Sequence, residues 1–331
     1  MDMLLEEECF KNVLETEPRV LIVEGVRSYL DGLRKAISSG ETTELPSKDK
    51  LLEDALSVVK EKTSFATKMI NGTGRLFCDK FGRCPLPKAT NEELLNLSGF
   101  INADAVKSSC EKLLQRLTGA NRCVTVNNGS AALLLALSAT CLGKEVVVPS
   151  SHLIRVDEDF DVANTISSAG AKLVEVGCTN RVHLKDYESA ITSQTGALLF
   201  IHKPNVETVG FTKEPQPQEL AELAAKHDIP LIVDEGIGSL VDLREYGHKR
   251  NPLVQDHIDK GADIVTFSTN KLIGGPSGGA LTLSSKWSDL FLNHPLYRSL
   301  RMDGLRRLWL AKSLKLFLDP ATLAKKHPLY Q

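Results

Sequence analysis

Apolar positions change their period part-way along the chain. Over residues 1–70 they recur at helical spacing in a polar background: Val26, Leu30, Leu33 and Ile37, four, three and four apart, mark one helix face. Gly40 is a plausible stop. LPSKDKLLEDALSVVK predicts a second helix, with Ser47 as N-cap and Lys50 where a glutamate would complete a capping box. From about residue 100, helices alternate with short, continuously apolar runs. Helix 104–118 precedes the strand Cys123–Val126, and the helix SAALLLALSAT follows it. Next come EVVVP, a helix near 160–169, KLVEVG, the helix DYESAITS and ALLFIH. Helix 216–227, PLIVDEG, helix 253–260 and DIVTFS complete the alternation. Apolar strands separated by helices predict an α/β fold with a mostly parallel sheet covered on both faces. On such sheets sites form at the carboxyl ends of the strands.

The chain has 331 residues, 42% apolar and 25% charged, enough for a large α/β domain with an N-terminal helical appendage and too apolar for wholesale disorder. A formal net charge of −2 excludes a general polyanion binder. Charge is uneven, however. Residues 1–17 hold six acids and one base, whereas 298–326 hold eight Lys/Arg against Asp303 and Asp319. That basic segment reads either as a solvated helix face or as one that meets phosphate. No apolar run approaches the ~18 residues of a membrane span, and the acidic start MDMLLEEECF is unlike a signal peptide. Seven scattered cysteines without a CxxC pair fit reduced thiols in a cytoplasmic protein, with no metal site expected; Cys78 and Cys84 are expected to be the more exposed.

Four features fall where strands should end. Asn128, Gly129 and Ser130, in the turn Asn127–Ala131, open a helix with small residues, where a phosphate could reach backbone N–H groups. Asp234 follows a buried strand directly, so its carboxylate needs a cationic partner, a salt bridge or an N-cap role. In FIHKPNVETVGF, His202 and Asn205 come just after a strand and could contact a ring or its phenolic oxygen; a purely structural histidine is the alternative. Lys271 follows a Ser-Thr-Asn turn and precedes a glycine-rich bend, an arrangement suited to a Schiff-base lysine. Together they outline a site for pyridoxal 5′-phosphate (PLP): phosphate on the helix start, Asp234 on the pyridine nitrogen, Lys271 on the aldehyde. The order of turn, Asp and Lys resembles the large domain of aspartate-aminotransferase-like (fold type I) enzymes.

Longer stretches sharpen the resemblance. INGTGRLFCDKFGRCPL (70–86), EVGCTNRVHLKDYESAI (175–191), DEGIGSLVDLREYG (234–247), FSTNKLIGGPSGG (267–279) and HPLYRSLRMD (294–303) are similar to the bacterial selenocysteine synthases, L-seryl-tRNA(Sec) selenium transferases. The resemblance runs from about residue 20 onward. It implies conversion of seryl-tRNA(Sec) to selenocysteinyl-tRNA(Sec) with selenophosphate, in a homo-oligomer. It implies Lys271 as catalytic lysine and Arg83, Arg298 and Arg301 as ligands of substrate or selenophosphate oxygens. The implied domains are a tRNA-binding helical domain (1–69), a PLP-binding large domain (70–293) and the start of a shortened C-terminal segment (294–331). Several positions depart from the family pattern. Pro149-Ser150-Ser151-His152-Leu153 replaces an Arg-Gly-Glu-Leu-type run, Asp161 stands where the family has arginine, and Asn270 replaces the aspartate before the lysine. A related lyase or transferase acting on a small amino acid or amino sugar, or a non-catalytic remnant, are the alternatives these departures leave open.

Overall fold

Seven short strands carry the larger part of the chain: β1 (Arg122–Val126), β2 (Glu145–Pro149), β3 (Lys172–Val176), β4 (Thr195–Ile201), β5 (Leu231–Asp234), β6 (Ile264–Ser268) and β7 (Gly279–Leu283). The computed structural model describes residues 2–42, 44–64, 69–74, 76, 84–95, 102–155, 160–204 and 206–331. The strands form one sheet in the order β1-β7-β6-β5-β4-β2-β3. Only β7 runs antiparallel to its neighbours, so β1 to β6 all end at one edge, which Gly279 of β7 joins by its amino end. Along each strand successive side chains point to opposite faces. Val147, Leu198, Val233 and Val265 enter one core, whereas Val146, Leu199, Ile232 and Ile264 enter the other. This two-sided burial explains why the central strands read as nearly unbroken apolar runs, whereas the edge strand β3 is mostly exposed and carries Glu175. The helix Gly129–Cys141 lies in the second core and is buried on almost every side, which its sequence AALLLALS permits.

Contacts divide the chain into two compact units, Met1–Ile70 and Asn71–Gln331. The first is built on the helices Arg19–Ser38 and Lys48–Thr63. Ser47 caps the second as the sequence suggests, accepting from Lys50 N at 3.4 Å. The buried face of the long helix is Ile22, Gly25 and Val26; Leu30 and Leu33 are half-buried and Ile37 is exposed. The predicted stripe is therefore right at its start and wrong at its end, because the closest approach lies near Gly25. A Cβ there would stand 2.6 Å from Val59 Cγ2 and 2.9 Å from Val59 Cα. Gly25→Ala is expected to force the helices apart and to destabilise this unit by about 1–3 kcal/mol, measurable by urea unfolding.

Residues 294–331 pack within the second unit. Cys84 corrects its expectation: it is buried, and desolvation pushes its thiol up to about 12; Cys178 is exposed instead, and Cys78 lies outside the described residues. Every described cysteine is free. Among the described residues no helix is long and apolar enough to cross a membrane.

Candidate active site

β1 leads straight into the helix Gly129–Cys141. Asn128 Oδ1 accepts from Ala131 N at 2.7 Å, and Asn128 O receives Ala132 N at 3.1 Å. The amides of Gly129 and Ser130 precede that first helical bond and sit at the helix start, where Asn128 and Ser130 are exposed. This corner is tight. A Cβ on Gly129 would collide with Ser268 Oγ, and one on Gly279 with the carbonyl of Asn128. Two glycines thus let the helix start press onto the ends of β6 and β7. Arg306 braces the turn, donating from Nη2 to Asn127 Oδ1 at 3.1 Å and from Nη1 to Ser277 O at 3.3 Å.

Along the same edge, with two strands between it and β1, Asp234 ends β5. Thr266 Oγ1, on β6, donates to Asp234 Oδ1 at 2.7 Å. Desolvation raises the Asp234 pKa, opposed by that hydrogen bond and by the charge of Lys271. A buried carboxylate with one hydroxyl and one nearby cation is set up to receive a further positive group. Lys271 Nζ donates to Gly236 O at 2.9 Å, two residues beyond Asp234. The lysine and the acid therefore share one corner, as their order along the chain suggests.

Glu235 is an acid that the sequence reading overlooked. It is fully buried and accepts from the amides of Ile237 (3.1 Å), Gly238 (2.5 Å) and Ser239 (3.2 Å). Its carboxylate thereby folds the turn that presents Gly236 O to Lys271. Burial pushes its pKa up to about 7, with the three amides opposing and Asp234 reinforcing. The native state then holds a proton that the unfolded chain releases, so this contribution is present at low pH and is lost as pH rises from about 4.5 to about 7. Glu235→Gln keeps an acceptor oxygen and removes the titration. Relative to the wild type, the variant is expected to gain about 1.4 kcal/mol per pH unit across that window, measured by urea unfolding at several pH values.

The other expected site residues fall unevenly. His202 N donates to Asp234 O at 2.8 Å, fixing its backbone beside the acid, but its ring donates from Nε2 to Asn251 Oδ1 at 2.9 Å. Arg298 lies on the helix Pro295–Leu300, and Arg301 pairs by backbone with Val126 at the end of β1. Both are exposed, and neither makes an ion pair among the described residues. Arg301 is thereby tied beside the Asn127–Ser130 turn. Arg83 and Asn205 lie outside the described residues. Asp161, expected to place an anion near an anion site, caps the helix Val162–Ser168 through Asn164 N at 3.1 Å and pairs with Arg155 at 3.1 Å. His152 is wholly buried. Its Nδ1 accepts from Ile201 N at 3.1 Å, so Nε2 carries the proton and donates to Glu214 at 2.6 Å. Lys203 completes this group at 3.4 Å from Glu214.

A family model described as L-seryl-tRNA selenium transferase matches residues 70–331. The chain belongs to this family. It is similar to the L-seryl-tRNA(Sec) selenium transferase of Geobacter metallireducens, with 37% identity over 96% of this chain and 72% of that protein. The enzyme of the same name from Caldanaerobacter subterraneus subsp. tengcongensis is also 37% identical, over 96% of this chain and 71% of the other. Among solved structures, D-glucosaminate-6-phosphate ammonia-lyase has the same fold (TM-score 0.61, 21% identity, 75% of this chain and 69% of that one). A Thermus thermophilus aspartate aminotransferase variant does too (TM-score 0.54, 17% identity, 73% and 68%).

Pyridoxal phosphate is the cofactor of this selenium transferase family and fold, and the residues present fit it. The glycine-lined helix start offers amides to a phosphate, the carboxyl of Asp234 is desolvated, and the Lys271 amine is held at the same corner.

Proposed function

We propose that this chain converts seryl-tRNA(Sec) to selenocysteinyl-tRNA(Sec) with selenophosphate as selenium donor, working as a homo-oligomer. The observation that carries the reading is the coincidence of family membership across residues 70–331 with Asp234 and Lys271 meeting at the carboxyl edge of the sheet. When bound, pyridoxal phosphate supplies a carbonyl carbon for the lysine and an electron-withdrawing ring that acidifies a substrate α-carbon. The amides of Gly129 and Ser130, with Asn128 fixing the helix start, hold the phosphate. Asp234, oriented by Thr266, holds a protonated ring nitrogen. His202 is held beside Asp234 through its backbone, and Asn205 is assigned with it to the cofactor ring by its position in the sequence alone. Lys271 takes the α-proton of the seryl group as the Cβ–O bond breaks and the oxygen leaves as hydroxide. Selenium from selenophosphate, whose P–Se bond is cleaved by water to release phosphate, then bonds to Cβ, and Lys271 returns the proton to Cα.

Arg298 and Arg301 serve the anions of the reaction. A guanidinium fork matches phosphate or selenophosphate oxygens, and Arg83 joins them by resemblance. Residues 1–69 form the unit assigned to tRNA and 70–293 the cofactor domain, with 294–331 packed in the same compact unit as the latter. The helical unit contains fourteen acids against ten Lys/Arg over residues 1–70, so its grip depends on shape and placed contacts more than on bulk charge.

The test is conversion of seryl-tRNA(Sec) by protein loaded with pyridoxal phosphate and supplied with isotopically labelled selenophosphate. Label on the tRNA, released as selenocysteine by mild alkali, is the expected result. Serine released unchanged from tRNA that demonstrably binds at low salt would overturn the reading.

A further inference from the structure

Three successive carbonyls follow Lys271, and each is occupied by a buried side chain from far along the chain. Tyr330 Oη donates to Leu272 O at 2.9 Å, His327 Nε2 to Ile273 O at 3.1 Å and Ser313 Oγ to Gly274 O at 3.3 Å. Ser313 and His327 are wholly buried and Tyr330 nearly so. The histidine's proton is placed by its other nitrogen, since Nδ1 accepts from Leu329 N at 3.2 Å. Desolvation lowers its pKa to about 4 and keeps the ring neutral. Gly274, at φ +61°, leaves the space that the ring fills; a Cβ there would collide with Nε2. Phe317 packs edge-on against both His327 and Tyr330.

Apolar packing alone needs no donors at these positions. Phenylalanine would fill much of the same volume, yet three different donors meet three consecutive peptide oxygens. On the opposite side Ile237 O receives Leu272 N at 3.1 Å, and Gly236 O receives Lys271 Nζ. The backbone just after the lysine is thus gripped from two directions. A lysine amine sits at the end of four rotatable bonds, so its reach depends on where its own backbone is pinned.

We propose that Ser313, His327 and Tyr330 are positioning residues that fix the peptide planes of Leu272–Gly274 and thereby aim the Lys271 amine. This rests on Lys271 being the cofactor lysine. If the planes turn, the amine swings off its target, and a displacement near 1 Å can slow a reaction about a hundredfold.

The experiment compares wild type, Tyr330→Phe, His327→Phe, His327→Gln and Lys271→Ala in the full chain with pyridoxal phosphate. It records the rate of cofactor uptake, the visible circular dichroism per bound cofactor and the thermal midpoint. Tyr330→Phe and His327→Phe are expected to take up cofactor about tenfold more slowly and to lose half or more of the ellipticity. His327→Gln, whose amide can donate to Ile273 O, is expected to return to within about twofold of wild type. Wild-type uptake and ellipticity in both phenylalanine variants, or no rescue by glutamine, overturns the proposal. If His327→Phe fails to fold, Tyr330→Phe, which loses a single oxygen, decides. Wild-type protein without a visible signal, or Lys271→Ala that retains it, overturns the cofactor reading itself and this proposal with it. A normal wild type beside indifferent variants overturns the proposal alone.

Discussion

Lys271→Ala is expected to abolish both the visible absorption of the loaded protein and selenium transfer, with a loss of about 10²–10⁴-fold from proton transfer alone. The substitution removes the amine and the bond from Nζ to Gly236 O, but it leaves the buried flanks of the loop, Leu272 and Ile273, in place. The fold should therefore survive, as far-ultraviolet circular dichroism would show. Lys271→Arg sharpens the result. Arginine keeps the positive charge beside Asp234 and can still reach a carbonyl, yet its guanidinium does not release a proton near neutral pH. An inactive Lys271→Arg assigns the requirement to an amine that can lose its proton, whereas charge alone predicts substantial retained activity. Transfer by Lys271→Ala above about one part in a hundred of the wild-type rate would remove the lysine from the chemistry.

The sequence made the backbone of this site readable because its main parts are local. A strand end, a capping asparagine and a glycine follow one another at Val126–Gly129, and Asp234 directly ends its apolar run. The alternation of short apolar strands with helices likewise foretold a mostly parallel sheet, since burial on both faces leaves the central strands few polar positions. What escaped was set by contacts distant in sequence or by geometry without periodicity. Glu235 sits beside Asp234, but nothing in DEGIG reveals that one acid faces the site while the other turns inward onto three amides. Asp161 looked like a charge change at an anion site because its role as a helix cap depends on where the next helix begins. The donors Ser313, His327 and Tyr330 lie 39 to 58 residues from the carbonyls they meet. Ile37 follows the helical period faithfully and is still exposed, because period gives a face but not the length of the partner helix.

Asp234→Asn is expected to lower selenium transfer by about 10²–10³-fold while cofactor still attaches at Lys271. The substitution is nearly isosteric. The amide oxygen can go on accepting from Thr266 Oγ1, so only the negative charge is lost. A ring nitrogen facing a neutral amide is no longer held protonated, and the ring withdraws electrons less strongly from the α-carbon. Stability should move in the opposite direction. Without cofactor the buried carboxyl has its pKa raised by desolvation, so its contribution is greatest at acid pH and declines as pH rises past the ordinary carboxylate range. Asp234→Asn should then melt higher than wild type at pH 8 in the absence of cofactor, with the difference shrinking toward pH 4. Pyridoxal phosphate should reverse the order, because a cationic nitrogen rewards the ionised acid and offers nothing to the amide. Thermal melts of both proteins, with and without cofactor at the two pH values, give a direct reading. Equal stabilisation of the two proteins by the cofactor at pH 8 would mean that Asp234 does not face a positive ring.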